Sequence, residues 1–341
     1  MIIDPLATRE IGTTGLRVSQ LGLGGAPLGD FSSRLVEEEA LATVEAACQI
    51  GLKLFDTSPL YGHGLSEHRF GHVLRSKERN SFVLSTKVGR WLRPRPPGEI
   101  DRGWFVGGLN FEPVVDYSYD ATMRSLEQSF QRLGLNTIDI LHIHDVDVWT
   151  HGPESYERHF RVAVDGAYRA LEELRRAGVI RAIGLGVNEI EPCLRFARDC
   201  DIDCFLLAGR YTLLEHAALD ELLPLCERRN ISILLGGPYN SGILATGAVA
   251  GATYNYKSAP PEIMERVSGI EAVCRRHRVP IAAAALQFPL GHPCVASMIP
   301  GAISAEQVER NAGLMRTEVP PDLWAELKRE GLMPDAARVP A

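Results

Sequence analysis

The stretch KLFDTSPLYG at residues 53–62 combines the end of a strand, a turn and two side chains suited to acid–base chemistry. Its first half is typical of a buried strand that stops at Asp56, and its Ser-Pro pair and final glycine favour a loop. An acid at a strand end, followed by a tyrosine such as Tyr61 on the next loop, is typical of barrel enzymes. The stretch therefore predicts a barrel and makes the other strand ends the place to look for chemistry.

The same alternation of apolar strands and amphipathic helices continues along the 341 residues. Short apolar runs predict eight strands, at residues 19–23, 53–56, 82–87, 138–143, 183–187, 205–208, 232–235 and 295–299. Apolar residues at helical spacing predict eight helices between them, at residues 37–50, 66–76, 119–133, 159–177, 191–199, 215–229, 261–277 and 305–314. Continuous apolar strands separated by helices form a parallel sheet covered on its outer face. The pattern predicts a single α/β domain over residues 1–341, a (β/α)8 TIM barrel.

A doubly wound sheet is the alternative fold for this alternation. It would place a G-x-G-x-x-G fingerprint in the first strand-to-helix turn, whereas LGLGG at residues 21–25 has a different spacing. Three strand-to-helix connections are long, at 89–118, 145–158 and 236–260, and all would lie on the C-terminal face. These loops carry the aromatic residues Trp91, Trp104, Phe105 and Trp149. Long loops of this kind favour a substrate pocket, although packing within the loop explains any single tryptophan equally well.

The composition excludes several classes of function. The chain has 36 basic and 43 acidic residues, a net charge of -7, which argues against broad attraction to nucleic acid or membranes. No apolar run reaches membrane-spanning length, and the N-terminus does not resemble a signal peptide. The seven cysteines are an odd number without paired metal spacing, as in a reduced, cytoplasmic protein without a metal site. The arginine-rich run at 90–95 predicts a solvated loop, and the chain is compatible with a monomer or a small homo-oligomer.

Polar residues stand at the ends of three neighbouring predicted strands. Lys87 ends the third strand and His144 follows the fourth, where alternation places His142 on the same side as His144. Neighbouring strands lie roughly 5 Å apart, so these groups are expected to converge with Asp56 and Tyr61. Each residue alone has an ordinary explanation in solvation or packing. Their occurrence together at one barrel rim favours a site.

The four side chains suit metal-free acid–base catalysis. A free tyrosine has a pKa of about 10, and a nearby ammonium such as that of Lys87 is expected to lower it. A carboxylate beside the lysine keeps it charged and oriented, and a neutral histidine can hydrogen-bond the reacting oxygen. Such a group protonates or deprotonates an alcohol oxygen. It moves no hydride by itself, so the chemistry calls for a nicotinamide cofactor.

Three segments resemble the aldo-keto reductase superfamily: FDTSPLYG at 55–62, STKVG at 85–89 and DILHIH at 139–144. The resemblance extends over nearly the whole chain in the family's order. It implies a barrel with Asp56, Tyr61, Lys87 and His144 as the catalytic tetrad. Tyr61 would donate the proton in carbonyl reduction and accept it in alcohol oxidation. The nicotinamide cofactor would lie extended across the barrel mouth.

The cofactor segments depart from the family at several positions. Gly186 and Val187 stand where the family has a Ser-Asn pair, with Asn188 one residue further on, and Ala208 replaces a glutamine. Gly236 replaces the tyrosine that stacks on the nicotinamide, a role open to Tyr239. The resemblance implies the following cofactor-binding residues: Gly25, Ala26, Asp56, Asn188, Gly237, Pro238, Tyr239, Asn240, Ser241, Gly242, Ile299, Gly301, Gln307, Arg310 and Asn311.

The expected cofactor is NAD, with NADP possible. NADP-selective family members carry a lysine and an arginine for the 2′-phosphate, and Gly301 and Gln307 occupy those places here. Loss of both cations weakens phosphate recognition. Arg310 keeps one positive charge nearby.

The glycine-rich segments at 21–29, 186–189 and 237–244 resemble the branch of the family that oxidises cyclic hemiacetals with NAD. This resemblance implies oxidation of a D-threo-aldose such as L-fucose to its lactone, or of pyridoxal to 4-pyridoxolactone. The expected substrate-binding residues are Tyr61, Trp91, His144 and Trp149. A general NADPH-dependent aldehyde or ketone reductase shares the same tetrad. A non-enzymatic regulatory subunit is the remote alternative.

Overall fold

The computed structural model describes residues 2–340 and contains an eight-stranded parallel barrel. The barrel strands are β3 (Leu23–Gly24), β4 (Leu54–Asp56), β5 (Val83–Val88), β8 (Ile140–His144), β9 (Ala182–Val187), β10 (Cys204–Ala208), β11 (Ser232–Gly236) and β14 (Val295–Ile299). They pair side by side in chain order from β3 to β14. Outside this sheet, β1 (Thr8–Glu10) pairs with β2 (Arg17–Ser19), β6 (Arg90–Pro94) with β7 (Phe111–Val115), and β12 (Thr253–Tyr254) with β13 (Lys257–Ser258).

The first and last barrel strands meet and close the sheet. The Gly22 amide donates to the Met298 carbonyl at 2.8 Å, and the Met298 amide donates to the Gln20 carbonyl at 2.8 Å. A parallel bridge between Gly24 and Gly301 continues this seam. Closure leaves no edge strand in the barrel, so its backbone groups are paired all round. The predicted (β/α)8 fold is therefore confirmed.

The N-terminal hairpin of β1 and β2 closes the bottom of the barrel. Its apolar residues Ile11, Leu16 and Val18 form one buried cluster with residues from the barrel interior, among them Leu54 and Ile140. This pairing accounts for a difference at the first predicted strand. Residues 17–19 pair with the N-terminal strand, so the barrel strand is shorter than predicted and lies at Leu23–Gly24.

Helices surround the barrel: α1 (Glu37–Ile50), α2 (Leu65–Leu74), α3 (Tyr119–Leu133), α4 (Val148–Val162), α5 (Arg169–Arg176), α6 (Ile190–Asp199), α7 (Leu222–Arg229), α8 (Ile243–Thr246), α9 (Pro261–Arg276), α10 (Ile281–Gln287), α11 (Ala305–Met315) and α12 (Pro321–Arg329). The sequence did not predict α8, α10 or α12. Helix α7 begins seven residues later than predicted, after a short 3-10 turn at Ala217–Leu219.

The predicted loop 145–158 is largely helical. Asp147 caps α4 by accepting a hydrogen bond from the Thr150 amide at 2.9 Å, so the helix begins at Val148. A π-helical segment at Ala163–Tyr168 joins α4 to α5. There Gly166 lies so close to the chain that an added Cβ would stand 2.6 Å from the Tyr117 carbonyl oxygen. The other two long loops contain the β6–β7 hairpin and, after β11, α8 with the β12–β13 hairpin.

Three further properties bear on function. No helix within residues 2–340 is long and apolar enough to cross a membrane. The same residues contain no group of three or more histidine, cysteine or acidic side chains placed to hold a metal ion. All seven cysteines are free thiols, most of them buried.

A buried ion pair joins α2 to α3 behind the strand that carries Lys87. Glu67 has no exposed side-chain surface and accepts hydrogen bonds from Arg132 Nε at 2.6 Å and Thr86 Oγ1 at 2.8 Å. Removing one partner of such a pair leaves an uncompensated charge in the interior. We expect Arg132→Met to lower the free energy of unfolding by about 3–5 kcal/mol in urea titrations.

The control for this prediction is Arg161→Met. Arg161 is 73% exposed and pairs with Glu157 on the surface of α4, so its loss should cost less than about 1 kcal/mol. Equal losses in the two variants would contradict the structural role assigned to the Glu67–Arg132 pair.

Candidate active site

A buried ion pair forms the base of the site. Lys87 Nζ lies 2.7 Å from Asp56 Oδ2, and their side chains are 1% and 4% exposed. The same ammonium donates to the Thr57 carbonyl at 2.8 Å, while the Ser85 hydroxyl donates to Asp56 Oδ1 at 2.8 Å. Burial raises the pKa of Asp56, and the lysine and serine donors oppose that shift. The pair is held by the last residues of β4 and β5, because both strands end at the same barrel rim.

Tyr61 lies directly above this pair, on the loop after β4. Lys87 Nζ is 4.7 Å from the centre of the Tyr61 ring, and the ring stands 5.9 Å from that of His144, almost perpendicular to it. Burial raises the pKa of Tyr61 well above its usual value, and the negative charges of Asp56 and Asp145 add to this. The expectation that Lys87 gives Tyr61 a lowered pKa is therefore wrong, because the net shift is upward. Asp56 offsets part of the charge of the ammonium, so desolvation prevails and keeps the phenol protonated.

His144 ends β8 and presents a neutral imidazole to the cavity. Burial lowers its pKa well below the usual value, and the nearby charges of Arg90 and Lys87 lower it further. The Ser58 hydroxyl lies 3.2 Å from Nδ1 and orients the ring. His142, two residues earlier, is fully buried inside the barrel, where the absence of a side chain on Gly184 makes room for its ring.

A second buried ion pair lies beside His144 and was missed from sequence. Arg90 Nη1 is 3.0 Å from Asp145 Oδ2, and Asp145 Oδ1 is 3.5 Å from His144 Nε2. The predicted solvated loop at 90–95 is thus wrong for Arg90, which is buried at the start of β6. The available signal was the acid immediately after His144, at the end of a catalytic strand.

Tyr61, Lys87 and His144 open onto a cavity of about 550 Å³ at the C-terminal end of the barrel, and Asp56 lies beneath them, paired with Lys87. Aromatic residues from three loops cover it, with the Trp104 ring stacked on Tyr256 at 5.0 Å and Phe31 packed against both. The cover also contains Phe105, whose ring lies 6.0 Å from that of Tyr61. A covered cavity excludes water and strengthens the electrostatic interactions inside it.

The two tryptophans predicted to bind substrate have different positions. Trp149, at the start of α4, belongs to the cavity lining. Trp91 does not belong to it. Its ring lies on the β6–β7 hairpin under the guanidinium of Arg124, 3.6 Å from the ring centre. The Trp91 assignment is therefore corrected, because alternation along β6 turns its side chain toward α3.

A groove continues from the cavity along the ends of β9, β10 and β11. It is lined by residues that include Asn188, Ala208, Gly209, Gly237, Asn240 and Ser241. Ala26 and Gly186 line the cavity itself, and their small size leaves space at its base. The side-chain amide of Asn188 forms no hydrogen bond with other residues in the range 2–340, although its backbone amide donates to Asp147. These residues fit a nicotinamide carboxamide, since a free amide and open space lie side by side.

Other predicted cofactor residues act through the backbone or hold the groove in place. Asn240 donates from Nδ2 to the Gly209 carbonyl and accepts from the Thr212 hydroxyl, which fixes the loop after β11. Tyr239 lies outside the cavity lining and donates its hydroxyl to Asn311 Oδ1 at 2.8 Å. That bond ties the loop to α11, and stacking of Tyr239 on the nicotinamide stays a prediction. The remaining members of this group are Gly25, which pairs with Asp56 through its backbone amide, Pro238, which is buried, and Gly242, which precedes α8.

The predicted adenosine segment lies at the far end, around the seam of the barrel. Ile299 ends β14, and Gly301 leaves no space for a side chain, because an added Cβ would stand 2.5 Å from Pro27. Gln307 is exposed at the start of α11 and accepts from the Ile303 amide at 3.1 Å. Arg310 is exposed one turn later and forms no ion pair within residues 2–340.

Comparison with known proteins agrees with this geometry. The model of the Aldo/keto reductase family matches residues 20–330. The chain is 42% identical to pyridoxal 4-dehydrogenase of Microbacterium luteolum, over 95% of this chain and 97% of that protein. It is 39% identical to D-threo-aldose 1-dehydrogenase of a Pseudomonas species, over 94% and 96%. A solved aldo-keto reductase from Bacillus halodurans in its holo form superimposes with a TM-score of 0.74 at 25% identity, over 95% and 96%. The chain therefore belongs to the aldo/keto reductase family and is an oxidoreductase that acts on CH–OH groups with a nicotinamide cofactor.

Proposed function

We propose that this protein oxidises the hemiacetal carbon of a cyclic aldose, such as L-fucose or another D-threo-aldose, to a lactone with NAD as acceptor. The observation that carries this proposal is the convergence of Tyr61, Lys87, Asp56 and His144 beneath one covered cavity. The cavity of about 550 Å³ has room for a monosaccharide. The identity to D-threo-aldose 1-dehydrogenase supports the same substrate class.

The chain's own residues supply the proton chemistry. In the proposed reaction the hemiacetal hydroxyl lies between Tyr61 and His144, where the neutral imidazole donates a hydrogen bond to its oxygen. Tyr61 in its phenolate form takes the hydroxyl proton, and the oxygen becomes the lactone carbonyl. Lys87, oriented by Asp56, stabilises that phenolate. A bound oxidised nicotinamide would accept the hydride that leaves the hemiacetal carbon.

A second substrate of the same chemistry is pyridoxal. Its cyclic hemiacetal would be oxidised to 4-pyridoxolactone by the same residues. The 42% identity to pyridoxal 4-dehydrogenase favours this alternative. Both reactions convert a ring hemiacetal to a lactone, so the tetrad serves them equally.

We expect NAD to be preferred to NADP. Gly301 has no room for a side chain and Gln307 is uncharged, so two positions that carry cations in NADP-selective relatives offer none here. Asn188 and the glycine-rich loop from Gly237 to Gly242 would hold the nicotinamide and diphosphate ends. Arg310 leaves one positive charge available for weak NADP binding.

The direct test follows formation of reduced cofactor with L-fucose, D-arabinose, L-galactose and pyridoxal, each with NAD and NADP. We expect lactone formation from at least one of these hemiacetals with NAD.

Tyr61→Phe should lower kcat/KM for the active substrate by at least about 1,000-fold, because this variant lacks the group that accepts the hydroxyl proton. Tyr168→Phe, which removes a phenol bonded to the Asp201 amide away from the cavity, should retain activity. Near-normal turnover by Tyr61→Phe would contradict the proposed mechanism.

The raised pKa of Tyr61 predicts opposite pH profiles for the two directions. Oxidation needs the phenolate, so its kcat/KM should rise about tenfold per pH unit from pH 7 to 9. Reduction needs the phenol and should stay nearly constant over that window. Asp145, whose pKa burial raises to about 6, is already ionised there and adds no inflection. A plateau in the oxidation profile near pH 7 would contradict the protonated phenol.

Gln307→Arg should shift cofactor selectivity toward NADP. An added guanidinium at this exposed position pairs with the 2′-phosphate, so kcat/KM with NADP should rise about tenfold while that with NAD stays within threefold. Gly313→Arg is the matched control, since it adds the same charge to open space on the same helix. An equal rise in both variants would show a general charge effect and contradict the assignment of residue 307 to the phosphate site.

A further inference from the structure

The Arg90–Asp145 pair is a buried, charged part of the cavity wall that the proton chemistry does not use. Both residues line the cavity, with side chains that are 8% and 12% exposed. Asp145 also lies 3.5 Å from His144 Nε2. Charged side chains are rarely buried unless they are paired, because removing them from water is costly, and this pair is buried at the wall of the substrate cavity.

The guanidinium of Arg90 has unused hydrogen-bonding capacity. Its Nη1 lies at ion-pair distance from Asp145 Oδ2 yet is buried without a well-directed hydrogen bond. Within residues 2–340 the side chain of Arg90 donates no other hydrogen bond. The other guanidinium nitrogens of this cavity-lining side chain are therefore free to donate to an acceptor on the substrate.

The backbone holds Asp145 in an uncommon conformation that directs it into the site. Its φ of 55° lies in the left-handed region, which aspartate and asparagine tolerate better than most residues. The Tyr117 hydroxyl lies 2.8 Å and 3.0 Å from the carbonyl oxygens of His144 and Asp145, and the Asp145 amide donates to Gly186. These three contacts fix the turn, as expected where strain serves a function.

The chemistry of the pair selects a neutral hydroxyl. A hydroxyl donates to the carboxylate and accepts from the guanidinium, so it satisfies both members. A phenolate or carboxylate oxygen only accepts, and the negative charge of Asp145 would oppose it. In the proposed reaction His144 binds the oxygen on the hemiacetal carbon. Because Asp145 is next to His144, the substrate hydroxyl that Asp145 can reach is the one on the neighbouring carbon.

We propose that Arg90 and Asp145 form a specificity site that binds the hydroxyl vicinal to the hemiacetal carbon, so that this enzyme acts on polyol hemiacetals, the aldoses. This inference rests on the proposed function and narrows it to sugars over pyridoxal, whose neighbouring oxygen is a phenolate at the assay pH. Asp145 is ionised at assay pH, since burial raises its pKa only to about 6.

The test compares L-fucose with 2-deoxy-L-fucose, using NAD and purified full-length protein at pH 8. In the wild type, removing the vicinal hydroxyl should lower kcat/KM by about 10- to 100-fold. Asp145→Asn should abolish this discrimination, so that the ratio of kcat/KM for L-fucose to kcat/KM for the 2-deoxy sugar falls to within threefold of one. Asparagine keeps the left-handed turn, and thermal unfolding checks that the variant is folded.

Asp203→Asn is the matched control. Asp203 is also 12% exposed and pairs with Arg175 at 2.8 Å, but it precedes β10 at the opposite end of the barrel. This variant should preserve the discrimination between the two sugars. Equal wild-type rates on both sugars, or equal slowing of both by Asp145→Asn, would overturn the inference and leave the proposed function standing. A wild-type protein inactive on every hemiacetal would overturn both.

Discussion

The buried ion pair between Lys87 and Asp56 is the constraint on which the rest of the site depends. Taking two charges out of water costs several kcal/mol per ion, and the 2.7 Å contact together with the Ser85 and Thr57 partners offsets that cost. The pair joins the ends of two adjacent strands, and it places the ammonium under Tyr61. Asp56 also offsets part of the lysine charge that acts on the phenol, which is why burial decides the protonation of Tyr61.

Burial is the shared physical cause of the unusual protonation states. It keeps the Tyr61 phenol protonated, His144 neutral and the pKa of Asp145 near 6. The aromatic cover around Trp104 and Tyr256 maintains that dry environment. An oxygen that enters the cavity therefore meets a phenol that can exchange a proton and a neutral hydrogen-bond donor. The charged side chains of Arg90 and Asp145 lie beside Tyr61 and His144 in the lining of the cavity.

Residues at predicted strand ends were placed correctly at the site, whereas some residues on predicted loops were not. Lys87 and His144 end barrel strands, so the parallel sheet brings them to the same rim as Asp56. Trp91 belongs to a hairpin within a long connection, and its direction depends on pairing between residues 90–94 and 111–115 that no local pattern predicts. Arg90, in the same hairpin, is buried by that pairing although its neighbours suggested solvation.

The sequence by itself determined the barrel, the side chains that we propose as catalytic and the absence of two cations at the predicted adenosine end, because strand periodicity and motif spacing are local properties. The tertiary structure decided the charge state of Tyr61, the pairing of Arg90 with Asp145, the bond from Tyr239 to Asn311 and the closure of the barrel by its N-terminal hairpin. These features depend on desolvation and on contacts between residues far apart in the chain. Only folding brings those groups together and removes the water around them.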